Sequence, residues 1–295
     1  MTPFDPEILF KELPTPAAGK LSYTFEKARA LKPGSQKTVV CLHGLPGSVR
    51  DFRYLGPQLS ARGFNVLRFN LPGFGQTPAH IWPKHDMKHR AAFVAYALQQ
   101  LRLEDTILLG HSFGGGLAMM SAHVIEEARK RGNTPTRVCG LALINSMGIT
   151  RHRGLSVPES FMALVRQLLK IGPLTEPIVQ KFHELYLGLG FKERDLLDAF
   201  GRFDADRVAL FTELISGLQF AELRRAVKTL RAPLLMYSSK NDPYIEPKIS
   251  HTLFAHFPDE VRGRHVQKKE GGHFLQKSLA DEIAESCARA FFSKS

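Results

Sequence analysis

The chain has 295 residues, of which 43% are apolar, enough to bury the core of one large domain or of a domain with an insertion. Its formal net charge of +12 is spread thinly, and dense basic runs such as Arg129-Lys130-Arg131 lack the interleaved aromatic side chains of a nucleic-acid platform. No run approaches the roughly 18 consecutive apolar residues of a membrane span. We therefore expect a globular protein with no nucleic-acid partner and no integral membrane segment.

The first residues of the chain and its cysteines indicate where in the cell the protein is expected. Residues 1–7 lack the basic-then-apolar pattern of a secretory signal, and the acidic residues Asp5, Glu7 and Glu12 argue against a transit peptide. Three cysteines at wide spacing are an odd number, which favours reduced thiols over disulfides or a metal site. We expect a cytoplasmic protein that binds no metal and needs no cofactor.

The first half of the chain alternates between strand and helix patterns. Residues 1–18 contain four prolines and are predicted to lie along the surface as a lead-in. Leu21 to Phe25 alternates apolar and polar residues, as a half-buried strand does, whereas Thr38 to Leu42 is continuously apolar, as in a strand buried on both faces of a parallel sheet. Further strands are predicted over 64–69, 106–109 and 137–144, with helices between them, one of them capped by Asp86.

This alternation is typical of an α/β fold with a parallel sheet, and it stops between about residues 147 and 230. That region has no convincing strand and contains five amphipathic segments, at 161–169, 177–187, 193–200, 208–218 and 220–230. Strands resume at 233–237 and 263–267, and a helix over 278–292 closes the chain. The sequence therefore predicts a core domain of residues 1–146 and 231–295 and an inserted all-helical cap domain of residues 147–230.

A pentapeptide between a predicted strand and a predicted helix carries the first candidate catalytic residue. Gly110-His111-Ser112-Phe113-Gly114 has the G-x-S-x-G pattern of a nucleophile elbow, in which flanking glycines let the backbone turn sharply enough to expose a serine hydroxyl. Ser112 is therefore the candidate nucleophile. A serine here could also be only the N-cap of the helix, so the identification depends on its partners.

Two partners follow at the carboxyl ends of later strands. A serine hydroxyl needs a base, and the base needs a carboxylate that fixes its tautomer. Asp242 follows the strand at 233–237, and His273 follows the strand at 263–267 by way of Gly271-Gly272. The chain order Ser112, Asp242, His273, with each residue in a loop at the carboxyl end of a strand, is the order that a fold with this elbow requires, and we predict these three residues as the catalytic group.

Two backbone N–H groups are predicted to form an oxyanion hole. One is Phe113, directly after the nucleophile, and the other is Leu45, in the loop after the strand at 38–42. Pro46 has no N–H to give. His43 in the same loop is predicted to be a buried hydrogen-bonding residue rather than a second base.

Four motifs together resemble the α/β-hydrolase superfamily, in particular its members with a helical cap between the sixth and seventh core strands. The motifs are Gly110 to Gly114, His43-Gly44-Leu45-Pro46, Leu71-Pro72-Gly73-Phe74-Gly75 and Gly272-His273. The resemblance implies an α/β fold with an eight-stranded, mostly parallel sheet flanked by helices and a substrate pocket between core and cap. Asn70 departs from the family pattern, which usually has Asp at that position.

The resemblance also narrows the expected activity. Epoxide hydrolases and haloalkane dehalogenases carry an aspartate nucleophile, which Ser112 argues against, whereas esterases, lactonases, carbon–carbon bond hydrolases and perhydrolases resemble the chain. We expect a carboxylesterase-like serine hydrolase whose partner is a small or medium apolar ester or a related carbonyl compound. The alternatives are a carbon–carbon bond hydrolase of a diketo acid, in which Arg151 or Arg153 could bind a carboxylate, and a non-catalytic binding protein on the same fold. The sequence leaves the oligomeric state open.

Overall fold

The computed structural model describes residues 11–15, 19–29, 37–82, 84–155, 158–188 and 192–292. Within these ranges eight strands form one sheet. They are β1 (Lys11–Thr15), β2 (Gly19–Glu26), β3 (Thr38–Leu42), β4 (Asn65–Phe69), β5 (Asp105–His111), β6 (Arg137–Ile144), β7 (Leu234–Ser239) and β8 (Arg262–Lys268).

The strand order confirms the predicted eight-stranded, mostly parallel sheet. The order across the sheet is β1-β2-β4-β3-β5-β6-β7-β8. From β4 to β8 every neighbouring pair is parallel, whereas β2 runs antiparallel to both β1 and β4. The carboxyl ends of β3, β5, β6, β7 and β8 therefore meet along one edge of the sheet, where open α/β sheets place their ligand sites.

Helices cover both faces of this sheet, and further helices lie between β6 and β7. The described α-helices are α1 (Leu55–Ala61), α2 (Met87–Gln100), α3 (Phe113–Lys130), α4 (Glu159–Leu168), α5 (Gly172–Gly188), α6 (Glu193–Phe200), α7 (Ala205–Ser216), α8 (Phe220–Thr229), α9 (Pro247–His256), α10 (Leu275–Ser278) and α11 (Ala280–Phe291). The predicted cap of α2 is confirmed, because Asp86 accepts a hydrogen bond from His89 N–H. In the described part of the chain, no helix combines the length and the apolar character needed to cross a bilayer.

Strand β3 shows why its residues form a fully buried strand. Every residue of Thr38–Leu42 is buried, and successive side chains point to opposite faces of the sheet. Val39 and Cys41 pack against α1 and α11 on one face, whereas Val40 and Leu42 pack against α2 and α3 on the other. A continuous apolar run is therefore what a strand with helices on both sides requires.

The edge strand β1 is a correction to the sequence prediction. Residues 1–18 were predicted as a lead-in along the surface, without a strand, but Lys11–Thr15 pairs antiparallel with β2. Pro14 is compatible with this strand, because an edge strand has only one neighbour and a residue without an N–H group can face away from it. Residues 1–10 and 16–18 lie outside the described residues.

Five helices, α4 to α8, lie between β6 and β7 and are called here the helical insertion (Glu159–Thr229). Polar contacts join it to the rest of the molecule near the carboxyl edge of the sheet. Arg50 pairs with Asp198 at 3.3 Å, and Arg207 donates to the carbonyl oxygen of Gly73 at 2.6 Å. Lys277 Nζ lies 3.3 Å from Asp195 of α6 and 3.7 Å from the buried Asp51. The insertion is therefore fixed above the edge where the predicted site residues lie.

Candidate active site

Ser112 lies at a sharp turn between β5 and α3. Its backbone angles are φ 54° and ψ −122°, a conformation that a residue with a side chain rarely adopts. Neither flanking glycine leaves room for a side chain. A Cβ atom at Gly110 would collide with the carbonyl group of Gly114, and a Cβ atom at Gly114 would collide with that of Leu42. The elbow is held to the neighbouring strand, since Ser112 N–H donates to Ile144 O at 3.1 Å and Met147 N–H donates to Ser112 O at 2.9 Å. The glycines of the pentapeptide are thus needed for close packing as well as for the turn.

Asp242 and His273 are brought together at the ends of β7 and β8. His273 Nδ1 donates to Asp242 Oδ2 at 2.8 Å, and the Asp242 side chain is fully buried. The other carboxylate oxygen, Oδ1, accepts from Tyr244 N–H at 2.8 Å and from Ile245 N–H at 3.0 Å. Asp242 is therefore fixed by its own turn, and it fixes the tautomer of His273 with the proton on Nδ1.

All the predicted site residues except the buried Asp242 line one small pocket of about 80 Å³. Its described lining is mostly apolar and consists of Leu45, Ser112, Phe113, Met147, His152, Gly154, Leu155, Tyr186, Phe211, Ile215, Leu218, Tyr244 and His273. Among the described residues no hydrogen bond joins the Ser112 hydroxyl to the His273 ring. In the absence of substrate such a bond is often long, and it tightens when the substrate binds.

The two predicted oxyanion-hole residues, Leu45 and Phe113, line this pocket together with Ser112. Phe113 is the first residue of α3, so its N–H has no acceptor within the helix. Leu45 lies in the loop after β3, which His43 holds in place. The His43 ring donates from Nδ1 to Gly44 O at 2.8 Å and accepts at Nε2 from Leu71 N–H at 3.0 Å. This is the buried hydrogen-bonding role expected for His43.

Sequence reasoning missed Asn145, directly after β6, which links three strand ends. Its Nδ2 donates to Gly272 O at 2.8 Å and to His273 O at 2.9 Å, and its Oδ1 accepts from Ser239 N–H at 2.9 Å. Its own N–H donates to Tyr237 O at 2.8 Å. One amide side chain therefore holds the His273 loop against the end of β7. A polar residue at the end of a predicted buried strand was the only sequence signal for it.

His111, inside the pentapeptide, also holds the His273 loop. Its Nε2 donates to His273 O at 2.9 Å, and the two rings lie 4.7 Å apart between centroids. Its Nδ1 is buried and has no hydrogen-bond partner among the described residues. Burial and the neighbouring His273 lower the pKa of His111 well below its ordinary value, so the ring is neutral. Two side chains, His111 and Asn145, therefore share the carbonyl of His273.

The buried histidines predict an acid-sensitive fold. Burial lowers the pKa of His43 to about 4 from an ordinary value of 6.5. Between pH 6.5 and 4 the unfolded chain therefore binds more protons than the native one, so the free energy of unfolding falls as the pH falls through this window. We expect His43→Asn to reduce that pH dependence by up to about 1.4 kcal/mol per pH unit.

Chemical denaturation between pH 7 and 4.5 measures this slope. The matched control is His80→Asn, because the side chain of His80 is exposed whereas that of His43 is buried. If the free energy of unfolding fell equally with pH in wild type and in His43→Asn, a neutral buried His43 would be contradicted.

The fold and the elbow define the class of protein. Residues 37–278 match the model of the α/β-hydrolase fold family, and the chain belongs to that family. The parallel sheet, the strand-turn-helix around Ser112 and the helices between β6 and β7 are the parts of the molecule that the resemblance in the sequence implied. The protein is a member of the α/β hydrolases.

Individual relatives are distant. An uncharacterized hydrolase of Bacillus subtilis, YugF, is 23% identical over 258 residues, covering 85% of this chain and 91% of the relative. The solved esterase EaEST of Exiguobacterium antarcticum superposes with a TM-score of 0.68 at 17% identity, covering 97% of this chain and all of the esterase. An α/β-hydrolase-fold protein of Burkholderia ambifaria superposes with a TM-score of 0.70 at 16% identity, covering 95% and 98% of the two chains. At these identities the superpositions establish the shared fold.

Proposed function

We propose that this hydrolase is a serine esterase that uses Ser112, His273 and Asp242 to cleave an apolar carboxylic ester. The observation that carries the proposal is the buried bond from His273 Nδ1 to Asp242 Oδ2, in a pocket that also contains the hydroxyl-bearing elbow residue. The bond leaves Nε2 of the neutral imidazole as the proton acceptor, which is what a general base needs. Esterases among the structural neighbours are consistent with this chemistry.

In the first half of the reaction His273 Nε2 takes the proton of Ser112 Oγ as that oxygen attacks the carbonyl carbon. The carbonyl oxygen becomes an anion and accepts hydrogen bonds from the N–H groups of Leu45 and Phe113. The bond to the alcohol oxygen then breaks, and the alcohol leaves with the proton held by His273. Asp242 stabilises the charged imidazolium throughout without taking its proton.

In the second half water replaces the alcohol. His273 Nε2 takes a proton from the water, whose oxygen attacks the acyl carbon of the ester formed with Ser112. The same two N–H groups hold the oxyanion, and its collapse returns the proton to Ser112 Oγ and releases a carboxylic acid. We further propose that the helical insertion is the cap domain of residues 147–230, since it supplies Tyr186, Phe211 and Ile215 to the pocket.

The lining of the pocket favours an ester over a diketo acid. A carbon–carbon bond hydrolase must present a cation to the carboxylate of its substrate, but the described lining around Ser112 contains no arginine or lysine. Of the two candidates from the sequence, Arg151 pairs with Glu159 at 2.8 Å and donates to Leu155 O at 3.2 Å. The other, Arg153, is exposed and lines the neighbouring larger cavity, not the pocket around Ser112. A non-catalytic binding protein on this fold typically lacks one residue of the triad, whereas this chain contains all three.

Labelling with a fluorophosphonate tests the proposal. We expect the reagent to label the wild-type protein at one residue, and Ser112→Ala to abolish labelling, because only an activated serine attacks phosphorus rapidly. The matched control is Ser121→Ala, which replaces a buried serine of α3, the helix that follows Ser112. This variant should keep full labelling. Parallel assays with an ester panel and a diketo-acid panel separate the two reactions. A folded wild-type protein that is neither labelled nor active on any ester would contradict the proposal.

Asn145 is expected to matter through the position of His273. Asn145→Gly removes the amide while suiting the positive φ of 38° at this residue, so the loss is confined to the side-chain bonds. We expect kcat for ester hydrolysis to fall about 100-fold with KM within about threefold, because a small displacement of a catalytic group costs rate more than binding. Asn145→Asp, which keeps the acceptor for Ser239 N–H but loses both donors, should show the same loss. A Gly variant with wild-type kcat would contradict this positioning role.

A further inference from the structure

Beside the catalytic pocket lies a second, larger cavity within the helical insertion, called here the side cavity. It is formed by α4, α5, α7 and the turn around Gly154, and its volume is about 510 Å³. The pocket around Ser112 measures only about 80 Å³. Ligand sites for small molecules commonly measure about 300 to 1,000 Å³, so the catalytic pocket alone is small for a substrate and the side cavity is not.

The two cavities are adjacent. Five residues line both of them: Gly154, Leu155, Tyr186, Phe211 and Ile215. These residues form the boundary between the two cavities, so a chain attached to a carbonyl carbon at Ser112 reaches the side cavity by displacing their side chains. The rest of a larger ester can be accommodated there without any movement of the sheet.

The chemistry of the side cavity is that of a hydrocarbon site. Met162 and Phe182 are buried in its wall, and the half-exposed Phe161 and Leu185 lie where it meets solvent. Its charged residues, Arg153, Lys181 and Glu184, are exposed, and Lys181 Nζ pairs with Glu184 at 3.1 Å. The charge is therefore at the mouth, while the interior offers apolar contacts and almost no polar group to orient a ring or a sugar.

We propose that the side cavity binds a linear alkyl chain of the ester substrate, so that the protein prefers medium- or long-chain esters over short ones. The inference rests on the proposed esterase function and adds the substrate class. An unbranched chain has the smallest cross-section for passing between the five shared residues, whereas a branched or cyclic group in its place needs a wider opening. Each methylene transferred from water into apolar surroundings strengthens binding by roughly two- to fourfold.

Two ester series test the proposal on the full-length wild-type protein, at concentrations below micelle formation. One series consists of p-nitrophenyl esters with acyl chains from acetate to dodecanoate, and the other of acetate esters of linear alcohols of the same lengths. We expect kcat/KM to rise at least about 50-fold over six methylenes in one series. The series that shows the rise tells whether the chain in the side cavity belongs to the acid or to the alcohol.

A substitution at the mouth of the side cavity tests whether the alkyl chain binds there. Leu185→Trp adds a large side chain to the wall of the side cavity at a position that is 49% exposed and therefore tolerates a larger residue. We expect the ratio of kcat/KM for the ten-carbon ester to that for the two-carbon ester to fall at least tenfold. The matched control is Leu174→Trp, at a 40% exposed leucine of the same helix that does not line the cavity, and it should leave the ratio unchanged.

Failure of this inference is distinguishable from failure of the proposed function. A protein that cleaves short esters and is labelled at Ser112 but shows a flat chain-length profile in both series would overturn the alkyl-chain site and leave the esterase proposal standing. Equal ratios for Leu185→Trp and wild type would also overturn it. A protein that is neither labelled nor active on any ester would contradict the esterase proposal itself.

Discussion

Replacing His273 with alanine is expected to lower kcat for ester hydrolysis by about 10⁶-fold. The imidazole is the only described ring in the pocket whose Nδ1 is bound to a buried carboxylate, at 2.8 Å from Asp242. In the proposed mechanism, Ser112 then has no base for its proton and the alcohol has no acid to leave with. The N–H groups of Leu45 and Phe113 remain, so a residual rate above that of water should persist.

The measurement is kcat on the best ester of the two series, with circular dichroism to show that the variant is folded. His251→Ala is the matched control, because His251 is an exposed histidine on α9 away from the pocket. A loss of less than about 100-fold would mean that another group acts as base, and His152, which also lines the pocket, would be the residue to test next.

Asp242→Asn is expected to lower kcat by about 10⁴-fold while leaving the fold intact. The amide oxygen can still accept from Tyr244 and Ile245 N–H, as Asp242 Oδ1 does at 2.8 and 3.0 Å. Its NH₂ group, however, would face His273 Nδ1. The ring must then carry its proton on Nε2, the tautomer that cannot accept a proton from Ser112.

This variant is checked by kcat and by the rate of fluorophosphonate labelling, both of which should fall while KM changes little. Asp204→Asn is the matched control, since Asp204 also accepts a backbone N–H, that of Arg207, but forms no hydrogen bond with any histidine of the described residues. If Asp242→Asn kept wild-type kcat, the carboxylate would be needed only for its turn.

Much of the fold could be predicted because it is encoded locally. A short, continuously apolar run such as Thr38–Leu42 fits a strand that is buried on both faces. The glycines around Ser112 permit a turn at which larger residues would collide with the backbone. The errors lie where tertiary contacts override local preference. Lys11–Thr15 forms a strand despite Pro14, because β2 offers it an edge. Helix α5 begins at Gly172, five residues before the predicted start at Pro177, and it continues through Pro177 although that residue cannot donate a helical hydrogen bond.

The candidate site divides in the same way. Ser112, Asp242 and His273 follow strands, so their meeting at one edge of the sheet follows from parallel topology alone. Asn145 and His111 could not be given their roles from sequence, because each acts on the backbone of a loop more than 120 residues away. Likewise helical spacing could not tell which aromatic residues of the insertion pack together and which line a cavity. Phe182 and Phe211 line the side cavity, whereas Phe200 packs against Phe74 beneath it.

The order of the strands along the chain has a consequence for the time at which the protein becomes reactive. His273 follows Ser112 by about 160 residues, and the whole helical insertion is made between them. At a synthesis rate of roughly 5 to 20 residues per second, the ribosome completes the serine about 10 to 30 s before the histidine. In the proposed mechanism the elbow therefore emerges before its base, and an ester cannot acylate Ser112 of the nascent chain until His273 has been made and β8 has joined the sheet.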